Sequence, residues 1–197
     1  MLDGAARIEQ LATEVARQGS PAIAITDHGH VFGAFEFYKA MKAVDVKPII
    51  GIEAYVAPES RFDKRRVKWA EGGEDDVSGG GAFTHMTILA ENNEGLSNLY
   101  KLASLASLEG FYYKPRMDRE LLSKYSGGLI ATTGCPAGEV QTRIRMGAYQ
   151  EARSAAAELR DIFGAENFFV EIMEHGLDIE KRVREDLLRL EIGRAHV

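Results

Sequence analysis

The sequence predicts an α/β domain built around a mostly parallel sheet. Apolar runs bounded by turn residues alternate with segments in which apolar residues recur at helical spacing. Such alternation is typical of strands joined by crossover helices, in an open sheet or a closed barrel. The apolar runs are nearly unbroken, which indicates strands that are covered on both faces.

Each predicted element follows from its pattern and its boundaries. The predicted strands are residues 21–26, 48–56, 86–90, 128–133 and 167–172. The predicted helices, with apolar positions at i, i+3, i+4 and i+7, are residues 4–18, 32–43, 94–108, 118–125 and 148–163. Asp3 is expected to cap the first helix, and Gly19 and Pro21 are expected to end it.

One domain is expected over residues 1–190. Within it, residues 61–81 are polar and rich in glycine, which predicts a long surface loop. Residues 191–197 back-translate to a familiar sequencing-library adapter, so we interpret them as a tail that is not native. The alternative is a genuine short tail.

Composition restricts the class of protein. A chain of 197 residues with 45% hydrophobic content can bury one sizeable core. No apolar run is long enough to span a bilayer, and a single cysteine favours a reducing cytoplasm. The net charge of −6 argues against a protein that coats nucleic acid through a general positive field, but it allows a local DNA-contacting strip.

Metal-ligating residue types stand at or near the ends of predicted strands. Asp27 and His28 follow the first strand, Glu53 interrupts the second, and Cys135 follows the fourth. In parallel α/β folds, functional residues gather where strands end. Imidazole and thiolate favour zinc, while carboxylates also bind manganese or iron. His175, after the fifth strand, is interpreted as a loop residue or one that supports the ligands.

Each of these residues also has a structural interpretation. Asp27 could equally cap the following helix, and His28 could be a hydrogen-bonded loop histidine. Glu53 could pair with a lysine or arginine, and Cys135 could be a small core residue. His85 begins its predicted strand, so the strand-end argument does not include it.

A basic run with two aromatic residues is suited to phosphate contact and base stacking. Its candidate DNA contacts are Arg61, Lys64, Arg65, Arg66 and Lys68. The alternative is a solvated loop whose charge is balanced by the acidic residues at 71–76. Residues 111–116 are a second candidate, which could instead pack against a neighbouring domain.

The longest motifs resemble those of one family. They are LDGAAR (2–7), AITDHG (24–29), FEFYK (35–39), KPIIGIEAYV (47–56), ESRFD (59–63), LEGFYYKPRMD (108–118) and GC (134–135). Over residues 2–190 the chain resembles the PHP (polymerase and histidinol phosphatase) domains that open the alpha subunits of bacterial DNA polymerase III. The resemblance implies a distorted parallel (βα) barrel of the PHP type, here incomplete at both ends.

The resemblance also implies a metal centre. The matching ligand positions are Asp3, His28, Glu53, His85 and Cys135. They would hold a cluster of up to three divalent ions, which could be zinc, manganese or iron, with Asp3, His28 and Glu53 in catalytic roles. Asp27 matches a position that orients its neighbour from outside the ligand shell.

Two parts of the family pattern are missing. The family has a His-x-His pair just before the LDGAAR segment and an Asp-x-His pair after the helix that ends near residue 190. Neither is present here. Every ligand position that the chain does contain is intact, so we expect an active parent protein and an inactive fragment.

The function that the resemblance implies is 3′–5′ proofreading within a cytoplasmic DNA-directed DNA polymerase, a nucleotidyltransferase. Expected partners are the DNA primer 3′ end, the other domains of the alpha subunit, and replisome subunits such as the sliding clamp, with no membrane. Two alternatives remain. One is a standalone phosphoesterase acting on a sugar phosphate or histidinol phosphate, and the other is a non-catalytic scaffold that docks a separate proofreading subunit.

Overall fold

The computed structural model describes residues 4–67 and 79–190. The helices are α1 (Ile8–Arg17), α2 (Ala34–Ala43), α3 (Asn93–Leu108), α4 (Arg119–Tyr125), α5 (Glu139–Arg145), α6 (Tyr149–Phe163) and α7 (Asp178–Arg189). The strands are β1 (Ala22–His28), β2 (Lys47–Val56), β3 (Thr84–Ala90), β4 (Arg116–Met117), β5 (Leu129–Thr132) and β6 (Phe168–Phe169). Each predicted strand and helix overlaps one of these, and α7 is the helix that was expected to end near residue 190, whereas β4 and α5 are additions. Over these two ranges, no helix combines the length and apolarity needed to cross a membrane.

The strands form one mixed sheet. Its order is β1-β2-β3-β5-β6, and β4 pairs with β2. Three pairings are parallel, namely β1 with β2, β2 with β4, and β5 with β6, whereas β3 runs antiparallel to both β2 and β5. The expected parallel sheet therefore contains one reversed strand. The described part of the β2–β3 connection has no helix longer than a 3-10 turn, Gly79–Gly81, and a strand that returns without a crossover helix can run antiparallel.

The two faces of the sheet differ in chemistry. On β2, Ile52, Ala54 and Val56 point to one face and are buried beneath α2 and α3. Burial of such apolar surface is the main term that stabilises the fold, at roughly 25 cal/mol per Å². Glu53 and Tyr55 point to the other face, because successive side chains on a strand alternate. The polar side chains therefore meet on the face away from α2 and α3.

The first helix begins later than predicted. α1 starts at Ile8 with Arg7 as its N-cap, so the predicted capping role of Asp3 is wrong. Gly4 has a φ of 71°, in the left-handed region, which a right-handed helix does not adopt. Asp3 itself lies outside the described residues, as do residues 191–197, so the interpretation of that tail stays a prediction.

The predicted surface loop 61–81 is buried where it leaves the sheet. Arg61 is only 7% exposed, and its guanidinium lies 3.0 Å from Asp118. Arg116 is fully buried and donates hydrogen bonds to the carbonyls of Arg61, Asp63 and Ala82. These contacts hold both ends of the loop against the domain. Residues 64–66 are exposed as predicted, and residues 68–78 are outside the described ranges.

Candidate metal centre

Four neighbouring strands bring polar side chains into one row across the sheet. In the strand register, His28 lies beside Glu53, and Glu53 lies beside Thr87. The register of β3 with β5 continues the row to Thr132. Residues that are neighbours in register point to the same face. The row therefore carries an imidazole, a carboxylate and two hydroxyls.

Glu53 lies between two histidines. Its Oε2 is 3.4 Å from His28 Nδ1, and its Oε1 is 2.5 Å from His85 Nδ1. Ligand atoms of all three residues lie within 4.8 Å of one another. His85 is the second residue of β3, and because β3 is antiparallel to β2, it lies beside Tyr55 near the end of β2. The reversed strand thus brings together His28, Glu53 and His85, three of the ligand positions that the resemblance implied.

Cys135 reaches the same place from the turn that follows β5. Its Sγ is 3.7 Å from Glu53 Oε1 and 3.6 Å from His85 Nδ1. Gly134 permits this approach, since its φ is 76° and a Cβ there would lie only 3.1 Å from the His85 carbonyl oxygen. Burial, with a smaller contribution from the carboxylates of Glu53 and Glu171, raises the pKa of the Cys135 thiol to about 12.

This set of donors fits a divalent metal. Imidazole nitrogen, carboxylate oxygen and thiolate sulfur are the ligands that zinc prefers, and imidazole with carboxylate also suits manganese and iron. The two oxygens of Glu53 face different histidines, so one carboxylate can serve two ions. The high pKa of the Cys135 thiol is no obstacle, because a coordinating metal deprotonates a thiol.

Tyr55 forms one wall of the site. Its ring centroid lies 5.1 Å from that of His85 and 6.2 Å from that of His28. A Cβ on Gly29 would come within 2.8 Å of both the Tyr55 ring and Pro115, so glycine is required between them. Burial raises the pKa of the Tyr55 hydroxyl, and the charged groups of the site raise it further. The hydroxyl therefore stays protonated at neutral pH.

A family model described as the PHP domain matches residues 1–175 of the chain. The chain belongs to the PHP family. It is 57% identical to DNA polymerase III subunit alpha of Saccharopolyspora erythraea, over 96% of this chain and 17% of that protein. The Mycobacterium tuberculosis subunit is 56% identical over 99% and 17%, and that of Thermus aquaticus is 47% identical over 95% and 15%. The PHP domain thus spans about one sixth of these relatives.

A solved structure supports the fold assignment. The crystal structure from Bifidobacterium adolescentis, described as that of a metal-dependent phosphoesterase, superposes with a TM-score of 0.50 at 14% identity. The superposition covers 96% of the PHP domain and 79% of that chain. Together with the family match, it confirms the predicted PHP-type fold.

The structure gives Asp27 of the PHP domain a contact at the start of α2. Its Oδ2 accepts a 2.8 Å hydrogen bond from the N–H of Gly33, the N-cap residue of that helix. This is the capping alternative, and strand alternation turns Asp27 to the face opposite His28. A role in orienting His28 stays a prediction. His175 lies 2.8 Å from Glu180 at the start of α7, consistent with a loop residue.

Two of the predicted site residues lie outside the described part of the PHP domain, and a third is buried. The first two are Asp3 and Lys68. The third, Arg61, is wrong as a DNA contact, because its guanidinium is held against Asp118 and is not available to a phosphate. Spacing alone could not distinguish it from the exposed basic residues that follow.

An exposed basic and aromatic strip lies beside the metal centre. Arg65 and Lys64 are exposed, and the Arg66 guanidinium lies 5.3 Å from the Tyr113 ring, which is 63% exposed. Lys114 Nζ lies 5.6 Å from the ring of Tyr55, which itself contacts the histidines. We call Lys64, Arg65, Arg66, Tyr113 and Lys114 the basic strip.

Sequence reasoning missed Glu171, which follows β6. Its carboxylate accepts hydrogen bonds from the hydroxyls of Thr132 and Thr87, on the same face of the sheet as Glu53. Glu171 interrupts the apolar run 167–172 as Glu53 interrupts the run 48–56. The same signal, a carboxylate inside an apolar strand pattern, could have found both.

The raised pKa of the Cys135 thiol predicts slow alkylation in the metal-free PHP domain. At pH 9 an unfolded chain is largely thiolate, whereas a thiol with a pKa near 12 holds its proton, so iodoacetamide should modify the folded protein at least about 100-fold more slowly. Stability should fall as pH rises above about 8.5, because only the unfolded state then loses the proton. Mass spectrometry of the peptide that contains Cys135 measures the rate, with the urea-unfolded protein as control. A rate that reaches its plateau near pH 9 would contradict the prediction.

Proposed function

We propose that this PHP domain is a metal-dependent 3′–5′ exonuclease within a DNA polymerase III alpha subunit. The observation that carries the proposal is the convergence of His28, Glu53, His85 and Cys135 at one edge of the sheet. The DNA context is supported by similarity to alpha subunits over 95% or more of the chain. The chain spans only 15–17% of those relatives. We therefore also propose, as part of the same function, that the full-length protein is a DNA-directed DNA polymerase.

The domain proposed to carry this activity is residues 1–190. Beyond the matched residues, Val183 and Leu187 of α7 and its C-cap Leu190 pack into the same core as the rest of the fold, which supports this extent. Residues 191–197 are proposed to be a non-native tail.

The described residues supply four ligands to the proposed centre, and Asp3 is proposed as a fifth. We propose up to three divalent ions, with zinc favoured by the thiol of Cys135 and manganese or iron as the other options.

The side chains divide the chemistry between them. Bound divalent metal supplies Lewis acidity, which lowers the pKa of a water molecule toward neutrality and offsets charge at the scissile phosphodiester. Glu53 keeps negative charge between the two imidazoles and so offsets cationic charge. Tyr55 is buried with its ring against His28 and His85 and so excludes water from that side of the site. The product would be a strand shortened by one nucleotide at its 3′ end.

The basic strip is proposed to hold the DNA primer. Lys and Arg side chains bind phosphates, and an exposed aromatic ring such as that of Tyr113 stacks on a base. Lys114 links the strip to the metal centre through Tyr55. The other proposed partners are the remaining domains of the alpha subunit and replisome subunits such as the sliding clamp, in the cytoplasm and without a membrane.

The test uses the full-length protein and a 5′-labelled primer with an unpaired 3′ end. We expect a ladder of shortened products that disappears when a chelator removes the metal and returns when zinc or manganese is added. Glu166→Gln, which changes an exposed carboxylate outside the site, should leave the ladder unchanged.

Two outcomes would refute the exonuclease proposal and favour another function. Release of inorganic phosphate from histidinol phosphate, with the primer intact, would indicate a phosphoesterase of small molecules. Stable metal binding without hydrolysis of either substrate would indicate a non-catalytic scaffold.

A further inference from the structure

The Glu171 carboxylate connects three strands on the face that carries the metal centre. Glu171 follows β6. Its Oε2 accepts a 3.4 Å hydrogen bond from the hydroxyl of Thr87 on β3 and another from the hydroxyl of Thr132 at the end of β5. Extended by one residue pair, the register of β3 with β5 places Thr132 beside Thr87, in the row that contains Glu53. A carboxylate placed here holds the two strands at a fixed spacing, and these strands lead to His85 and to Cys135.

The contact with Thr132 continues into the turn that presents Cys135. Thr132 Oγ1 accepts a 3.1 Å hydrogen bond from the Gly134 N–H. A backbone N–H can only donate, so the single hydroxyl proton of Thr132 is left to point at the Glu171 carboxylate. The hydrogen bonds therefore run in one direction, from the Gly134 N–H to the Thr132 hydroxyl and on to the Glu171 carboxylate. They begin at Gly134, one residue before the Cys135 thiol.

A second set of bonds holds the other side of the same turn. Thr133 Oγ1 accepts from the Glu171 N–H at 3.0 Å and from Gln141 Nε2 at 2.9 Å. Gln141 Nε2 also donates to the Gly134 carbonyl at 2.8 Å. Glu171 therefore contacts the turn through both its side chain and its backbone. Packing of an apolar strand needs neither of these two hydrogen bonds between Glu171 and the turn.

We propose that Glu171 is a positioning residue of the metal centre. Through the Thr132 hydroxyl it fixes the Gly134–Cys135 turn, so that the Cys135 sulfur stays within reach of Glu53 and His85 as a metal ligand. The proposal rests on the proposed function only in its requirement for metal at this centre. It needs no DNA and no catalysis.

Charge and size make Glu171 suited to this task. A carboxylate accepts several hydrogen bonds at once, which a hydroxyl or an amide does less well. Charge-assisted bonds of this kind are roughly twice as strong as neutral ones. Supporting residues of metal centres typically change metal affinity by about 10- to 100-fold when they are replaced.

The test is metal binding by the full-length protein with Co²⁺ as the probe. Co²⁺ bound to a thiolate gives a ligand-to-metal charge-transfer band, which reports on Cys135 directly and separately from activity. Glu171→Met keeps the volume but removes the acceptor, and Thr132→Val keeps the shape but removes the hydroxyl. In both variants we expect a weakened band and Co²⁺ affinity about 10- to 100-fold lower than in the parent protein.

Conservative variants separate positioning from general structural damage. Thr132→Ser retains the hydroxyl and should keep most of the band. Glu171→Gln retains an acceptor but not the charge, so its band should lie between those of the parent protein and Glu171→Met. Unchanged band intensity and affinity in Thr132→Val, which folds without a change of volume, would overturn the proposal. So would loss of a whole ion in Glu171→Gln with the band intact, because Glu171 would then be a ligand itself.

The outcome for this proposal can be separated from that for the nuclease. A parent protein without the band would overturn the positioning role, since Cys135 would not be a ligand. Primer degradation measured on the same sample would still report the proposed activity. A band that depends on Thr132 in a protein without nuclease activity would support the positioning role and refute the exonuclease.

Discussion

Glu53→Gln is expected to abolish exonuclease activity of the full-length protein and to weaken metal binding by more than about 100-fold. The amide has the size of the carboxylate and retains one acceptor, so the contact with His85 can survive. What it loses is the negative charge between two imidazoles. A carboxylate near a divalent ion contributes several kcal/mol at an effective dielectric of about 20, whereas a neutral hydrogen bond contributes about 1 kcal/mol net. Charge therefore decides the outcome.

Calorimetric titration of the metal-free protein with Zn²⁺ measures this effect, together with primer degradation. Glu166→Gln is the matched control, because it removes the same charge from an exposed turn and should change neither quantity. Retention of parental zinc affinity in Glu53→Gln would place the metal elsewhere and refute the centre described above.

His28, Glu53 and Cys135 could be predicted from their places at or near strand ends, but His85 could not, because of the direction of β3. Only parallel strands bring their carboxyl ends to one edge of a sheet. β3 is reversed, so its amino end lies at that edge and carries His85 to Glu53. Nothing in an apolar run states its direction, so only the resemblance to a family could supply this ligand from the sequence.

Strand periodicity also predicts which face of the sheet each candidate ligand occupies. The register places His28 beside Glu53, and alternation turns Asp27 to the opposite face, where it meets α2. Asp27 and His28 are adjacent and are both of metal-ligating types, but only His28 faces the candidate metal centre, whereas Asp27 caps α2. Glu171 was accessible by the same reasoning that selected Glu53, whereas its threonine partners depend on strand pairing and were not.

The remaining gaps in the prediction come from long-range contacts. β4 has two residues and exists because it pairs with β2, so it has no periodicity of its own to detect. Arg61 and Arg116 look like ordinary surface residues of polar segments. They are buried because carboxylates and carbonyls from distant parts of the chain surround them. Such partners are set by tertiary structure, which local patterns do not encode.

Arg116→Met is expected to destabilise the domain by about 3 kcal/mol. Arg116 is fully buried and donates to four backbone carbonyls, those of Arg61, Asp63, Ala82 and Gly110. Methionine fills similar space but leaves these acceptors without that donor, at about 1 kcal/mol or more each. Removal of a buried cation recovers part of its desolvation cost, which offsets some of the loss. The unsatisfied carbonyls outnumber the single charge, so the net effect is destabilising.

Hydrogen exchange of the full-length protein measures this loss locally, in peptides that cover β2 and β4. A loss of about 3 kcal/mol corresponds to exchange about 100-fold faster in these strands, because opening becomes that much more frequent. Arg160→Met removes a partly exposed guanidinium that pairs with Asp161 on the surface, and it should change exchange by less than about 3-fold. Equal protection from hydrogen exchange in Arg116→Met and Arg160→Met would mean that the four carbonyls form hydrogen bonds with other donors. Arg116 would then not hold the loop. Faster exchange confined to β4 and the loop ends, with β2 protected, would limit its role to anchoring the loop and would refute the predicted effect on the sheet.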